Sequence, residues 1–201
     1  MAAPLNTLER ALGRILTALG QTSAEAALVG GLAVSARAEP RTTRDVDLAI
    51  AVQGDEQAEQ LIFELKSHGY AVRALIEQDQ TGRMATVRLV HGSEPAVYID
   101  LLFASSGIER EIVAEAEPIE LLEGLTMRVA TRAHLIALKV LARDDRNRPQ
   151  DWDDLRALLR DATEEEVRRA RDALELIQSR GYSRGRSLSA DLDRAVAETT
   201  G

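Results

Sequence analysis

The segment Asp45-Val46-Asp47-Leu48-Ala49-Ile50-Ala51-Val52 alternates acid with apolar residue and then turns continuously apolar. That is the pattern of a strand running from a polar site into a core. A side-chain period of two puts Asp45 and Asp47 on one face and Val46 and Leu48 on the other. Two carboxylates this close repel each other. Without a cation, one is protonated or both are solvent-exposed. A hard divalent metal removes the conflict, and Mg²⁺ favours carboxylate oxygen together with substrate phosphate. Tyr98-Ile99-Asp100-Leu101-Leu102-Phe103 repeats the theme, with one acid inside an apolar strand. A buried carboxylate is costly unless paired or metal-bound. If the two strands are neighbours, Asp45, Asp47 and Asp100 converge. Three convergent carboxylates suit a two-metal site that clamps the attacking and leaving oxygens of a phosphoryl displacement.

The rest of the chain supplies a setting for these strands. Leu5, Leu8, Leu12, Ile15, Leu16 and Leu19 recur at helical spacing, with Asn6 and Glu9 as a capping pair and Gly20 as a stop. Ala27-Leu28-Val29 is a short strand running into Gly30-Gly31, and 32–38 reads as a short helix. Residues 56–68 predict a helix. Residues 70–76, 84–90 and 96–103 predict three strands. Residues 107–130 read as a helix and a short extended piece. From Thr131 everything reads as helical: Thr131 caps a helix to Arg143, another covers 150–160, and Thr163-Glu164-Glu165-Glu166 opens one to about Arg180. A last helix covers 189–199, after an Arg-rich loop at 180–186. The layout is α+β: a mixed sheet with flanking helices over residues 1–105, then a mainly helical bundle over 106–201.

Composition removes several functions. The 201 residues include no cysteine, which excludes disulfide scaffolds, Cys-ligated metals and thiol nucleophiles and fits a reducing compartment. No apolar run approaches the roughly 18 residues of a membrane helix, and Met1–Glu9 lacks the features of a secretory signal. A cytoplasmic location is therefore expected. The net charge of −8 and the 3% aromatic content argue against a broadly basic or base-stacking nucleic-acid binder. The surplus acid is local, however: residues 51–130 hold six basic and fourteen acidic residues, while 1–50 hold five of each.

A glycine pair between strand and helix lets backbone approach a ligand, and the helix N-terminus offers N–H groups to an anion. Gly30-Gly31 has this form. Ser35, one turn on, either adds a hydroxyl or packs, while Arg37, Arg41 and Arg44 stand ready for triphosphate or acceptor. Arg44 ranks lowest, because strand alternation turns it from the acid face. In the helical half, Thr131-Arg132-Ala133-His134-Leu135-Ile136-Ala137-Leu138-Lys139-Val140-Leu141-Ala142 is apolar nearly all round. Lys139, one of only two lysines against 23 arginines, needs an anionic partner there. Its point charge suits a phosphate or a helix-to-helix pair with Asp151 or Asp154.

Gly30, Gly31, Asp45, Asp47 and Asp100 together resemble the nucleotidyltransferase superfamily, the polymerase-beta-like fold, over roughly residues 26–103. The resemblance implies that Asp45, Asp47 and Asp100 bind Mg²⁺, that Asp100 lies nearest the attacking oxygen, and that the glycine turn holds the phosphates of an NTP. Leu138-Lys139-Val140-Leu141 followed by Gln150-Asp151-Trp152-Asp153-Asp154-Leu155 is similar to the AbiEii/AbiGii-type nucleotidyltransferase toxins. Gln150 departs from that pattern, in which a basic residue is common. The likeness implies transfer of an NMP from an NTP to an RNA end, tRNA in particular, by the toxin of a toxin–antitoxin pair. Lys139 would contact phosphate and Asp151 would orient the site. Two alternatives stay open: a protein or aminoglycoside-like acceptor, and a silent binding module that keeps the fold.

Overall fold

A computed structural model describes residues 7–143 and 149–200. Its elements are α1 (Thr7–Leu19), β1 (Glu25–Val29), α2 (Gly30–Arg37), β2 (Asp45–Ala51), α3 (Asp55–Ser67), β3 (Tyr70–Glu77), β4 (Met84–His91), β5 (Glu94–Leu102), α4 (Glu109–Glu115), β6 (Glu117–Leu122), β7 (Leu125–Val129), α5 (Arg132–Ala142), α6 (Pro149–Arg160), α7 (Glu164–Ser179) and α8 (Leu188–Thr200). Leu5 and Asn6, assigned above to the first helix and its cap, lie outside the described residues. Thr131 caps α5 by accepting the N–H of His134, and Thr163 with Glu166 forms the expected capping box of α7.

The seven strands make one mixed sheet in the order β3-β4-β5-β2-β1-β7-β6. Its centre holds the acid-bearing strands. β2 runs parallel to β5 and antiparallel to β1. The continuously apolar part of β2 explains its central place: Val46, Leu48 and Ile50 are fully buried, as are Leu28 on β1 and Leu101 on β5. Residues 117–129 correct one expectation. In place of a single extended piece there are two strands, and β7 lies parallel to β1 with Leu28 opposite Val129. The sheet thus takes strands from both sides of residue 105. Arg37 secures this junction. Its guanidinium donates to the carbonyls of Val129 and Ala130 at 3.1 Å and pairs with Glu117 at 2.6 Å.

The helices of the C-terminal half pack on α5, whose Leu135, Ile136, Val140 and Leu141 are buried. α5 also touches α2, which sets the helical wall against the glycine turn. No described helix is long and apolar enough to cross a membrane.

Candidate active site

Strand register decides which acids meet. Asp47 on β2 is directly opposite Asp100 on β5, and Asp100 is opposite Arg88 on β4. Asp45 lies two residues before Asp47 on the same strand face, opposite Tyr98. The expected convergence of Asp45, Asp47 and Asp100 is therefore built by neighbouring strands. They line one open cleft of about 1300 Å³, together with Gly30, Gly31, Arg41, Arg44, Lys139 and Asp151.

The two glycines are required by close approach. Gly30 has φ +63°, a left-handed conformation that disfavours side chains, and a Cβ there would lie 1.9 Å from Asp47 Oδ2. A Cβ on Gly31 would lie 2.3 Å from Arg41 Nη2. The turn thus presses backbone against the acid on one side and a guanidinium on the other. Gly31 N–H also donates to Asp47.

Burial pushes the Asp47 carboxyl up to about 6, and the negative charges of Asp100 and Asp45 add to the rise. Lys139 and the Gly31 N–H pull the other way without cancelling it. Asp100 is treated differently. Arg88 grips it with two hydrogen bonds, Nε–Oδ1 at 2.8 Å and Nη2–Oδ2 at 2.6 Å, and stacks at 4.8 Å over Tyr98. Among the described residues, Asp45 and Asp47 form no ion pair.

Charge and donor chemistry decide whether a metal suits these residues. Among the described residues, no three acidic or imidazole side chains are gathered as ready ligands. Asp100 is turned to Arg88. Yet Asp45 and Asp47 offer hard carboxylate oxygens in a place where like charge already raises Asp47, and a divalent cation relieves that conflict. The carboxylates of Asp45 and Asp47 fit such a cation.

The helical wall carries a second charge cluster. Lys139 Nζ lies 2.7 Å from Asp151 Oδ1 and 2.7 Å from Asp154 Oδ2. Arg41 reaches the same Asp154, with Nε 2.7 Å from Oδ1 and Nη2 donating to Oδ2 at 3.1 Å. The helix-to-helix pair expected for Lys139 is formed. Arg41 ties the loop before β2 to α6. Ser35 does not line the cleft. Its hydroxyl donates to the Gly31 carbonyl at 3.1 Å and accepts Arg41 N–H at 3.2 Å, holding the start of that loop. Arg37 is spent on β7, as described, while Arg44 lines the cleft despite its position in the alternation.

Arg88 was not foreseen. An arginine between Val87 and Leu89 reads as the solvated face of a half-buried strand. The usable signal was its alternation, which puts it on one face of a strand just before the Asp100 strand. Tyr182 and Arg184, in the Arg-rich loop, also line the cleft, and Arg184 adopts φ +54°.

A mixed sheet with paired acids on its central strands, a glycine turn entering a short helix and a helical wall is the nucleotidyltransferase fold. Among solved structures, an antigenic nucleotidyltransferase-like protein from Paracoccidioides brasiliensis is similar, with a TM-score of 0.51 at 20% identity over 95% of each chain. Lincosamide antibiotic adenylyltransferase LnuA gives 0.49 at 15% identity, covering 77% of this chain and 98% of its own. The antibiotic-resistance factor ANT(2'')-Ia gives 0.49 at 19% identity, over 95% and 90%. No curated protein matches in sequence. The family model of the nucleotidyl transferase AbiEii toxin of type IV toxin–antitoxin systems matches residues 14–199. The chain belongs to that AbiEii family and is a nucleotidyltransferase.

Proposed function

We propose that this protein moves a nucleoside monophosphate from an NTP to the terminal hydroxyl of an RNA, tRNA being the acceptor class. We further propose that it does so in the cytoplasm as the toxin of a pair whose antitoxin is a separate protein. The observation that carries the transfer reading is the register that brings Asp47 and Asp100 together beside Gly30-Gly31. Family membership supports the rest.

In this reading Asp45, Asp47 and Asp100 would hold Mg²⁺, in one or two sites, and the bound cation would supply charge to the phosphate oxygens. The backbone of Gly30-Gly31 at the start of α2 receives triphosphate oxygens. Arg41, from the loop before β2, and Lys139, from the helical wall, meet the same triphosphate, and Asp151 orients Lys139. The acceptor oxygen forms a bond to the α-phosphorus. The bond from that phosphorus to the β-bridging oxygen breaks, and pyrophosphate leaves. Asp100, nearest the attacking oxygen, receives the hydroxyl proton once Arg88 has released it.

Incubation with labelled NTPs, Mg²⁺ and total RNA tests this, with label expected on RNA. Label on neither RNA nor protein contradicts transfer, and label on protein alone contradicts the RNA acceptor. Inducible expression should slow growth in the wild-type form and not as Asp45→Ala; equal growth removes the toxin role.

A further inference from the structure

The Arg41 guanidinium occupies the space that a side chain would fill at the glycine turn. A Cβ on Gly31 would meet Arg41 Nη2 at 2.3 Å, Arg41 Cζ at 2.9 Å and Thr43 Oγ1 at 3.0 Å. Gly31 is the second residue of α2, where backbone N–H groups have no carbonyl within the helix to bind. A guanidinium packed there adds a full charge to a turn already suited to an anion. The Arg41 side chain is 27% exposed and lines the cleft, so a ligand can reach it.

Arg41 belongs to the irregular segment between α2 and β2. Local bonds fix where the residue starts: its N–H donates to Ser35 Oγ at 3.2 Å. From such a start a long, flexible side chain has many rotamers. The guanidinium is aimed by a residue 113 positions away, Asp154 on α6. Arg41 Nε lies 2.7 Å from Oδ1, and Nη2 donates to Oδ2 at 3.1 Å. Contact at two points fixes the plane of the guanidinium as well as its place. Asp154 is itself 2% exposed and braced by Lys139, whose Nζ lies 2.7 Å from Oδ2. Asp151 meets Lys139, whereas Asp154 meets both cations that face the triphosphate.

We infer that Asp154 is a positioning residue for nucleotide binding that acts through Arg41, an inference resting on the reading that Gly30-Gly31 receives the triphosphate. Asp154 holds the guanidinium against the glycine turn, so the triphosphate finds it in place. The sign of the effect separates aim from charge. By charge alone, an acid beside a triphosphate weakens binding, and neutralising it should tighten binding. If the acid aims Arg41, neutralising it weakens binding, because a loose guanidinium must be ordered when the ligand arrives.

Calorimetric titration of the full chain with each of the four NTPs in Mg²⁺, without RNA, reads binding apart from transfer. For the NTP that binds tightest, Asp154→Asn should raise the dissociation constant about three- to tenfold, the scale of ordering one rotamer-rich side chain. Arg41→Gln should raise it by at least about tenfold, the scale of a hydrogen bond to a charged group. The double variant should bind no more weakly than Arg41→Gln alone, since Asp154 then has nothing to aim. Arg41→Lys keeps the charge and loses the fork, and should weaken binding as Asp154→Asn does. It carries the test if Asp154→Asn gives no cooperative melting curve. Unchanged or tighter binding by a folded Asp154→Asn overturns the inference, and so does wild-type affinity in Arg41→Lys. A double variant weaker than Arg41→Gln by the full effect of Asp154→Asn overturns it too. A wild-type chain that binds no NTP overturns it together with the triphosphate reading.

Discussion

Two charge clusters face each other across one cleft, and their balance differs. On the helical wall, Arg41 and Lys139 stand against Asp151 and Asp154, two charges of each sign. On the sheet, Asp45, Asp47 and Asp100 have Arg88 as their one ion-pair partner among the described residues. Lys139 is 7% exposed and Asp151 and Asp154 each 2%, so an unpaired charge there would be strongly unfavourable. On the sheet Asp100 is nearly as buried, at 8% exposed, and is held by Arg88, while burial and like charge raise Asp47. The two clusters thus differ in net charge: the wall is paired within the fold, and the sheet carries surplus negative charge into the same cleft.

The largest effect should come from removing an acid of the unbalanced cluster. Asp47→Asn is expected to lower transfer by at least about a hundredfold, since loss of an outer-shell partner alone costs roughly 10- to 100-fold. It should leave the melting temperature unchanged or higher, because a raised, like-charge-crowded carboxylate is gone. Activity and melting curves on one preparation check both. The balanced cluster should respond in the opposite way. Lys139→Met removes the cation between two buried carboxylates, leaving Arg41 on Asp154, and should destabilise the fold by roughly 3–5 kcal/mol, read by urea unfolding. A fall in activity with unchanged stability would show that Lys139 serves the ligand more than the fold.

Arg88 belongs to both descriptions, and its removal sharpens the contrast. Arg88→Met frees Asp100 and should tighten Mn²⁺ binding about two- to fivefold, the scale of a partly exposed ion pair near 0.5–1 kcal/mol. Unchanged or weaker binding would make Arg88 a fixed strut. The smallest effect is in pH. Folding raises Asp47 from 3.8 to about 6, so the native state holds its proton more tightly than the unfolded chain. Its contribution to stability is complete below about pH 4 and is lost as pH rises through about 6. The pH dependence of unfolding in wild type minus that in Asp47→Asn isolates this fall, and Mg²⁺ should offset it above pH 6.

The centre of the molecule was legible because local pattern and global role coincide there. Alternation placed Asp45 and Asp47 on one face, and the apolar stretch after Asp47 is what buries β2 in mid-sheet. Thr131 and Thr163 announced their helices by cap chemistry alone. Lys139 could be narrowed to two partners because an apolar helix leaves a cation few choices. Apart from Arg44, which lines the cleft against its place in the alternation, the failures are long-range. Glu117-Pro118 reads as punctuation, and nothing local says that Leu125–Val129 pairs with β1, about a hundred residues earlier. Arg37 reads as a free cation until that strand supplies the carbonyls it binds. Arg88 takes its meaning from Asp100, twelve positions on, through a register no single strand reveals.

That the surplus negative charge of the sheet cluster, and not the paired helical cluster, takes up a divalent cation is tested most directly by Mn²⁺ titration followed by electron paramagnetic resonance. Wild-type protein should bind Mn²⁺, and Asp154→Asn should retain that binding. Asp47→Asn should lose it by at least tenfold. Equal Mn²⁺ affinity in wild type and Asp47→Asn would contradict the claim.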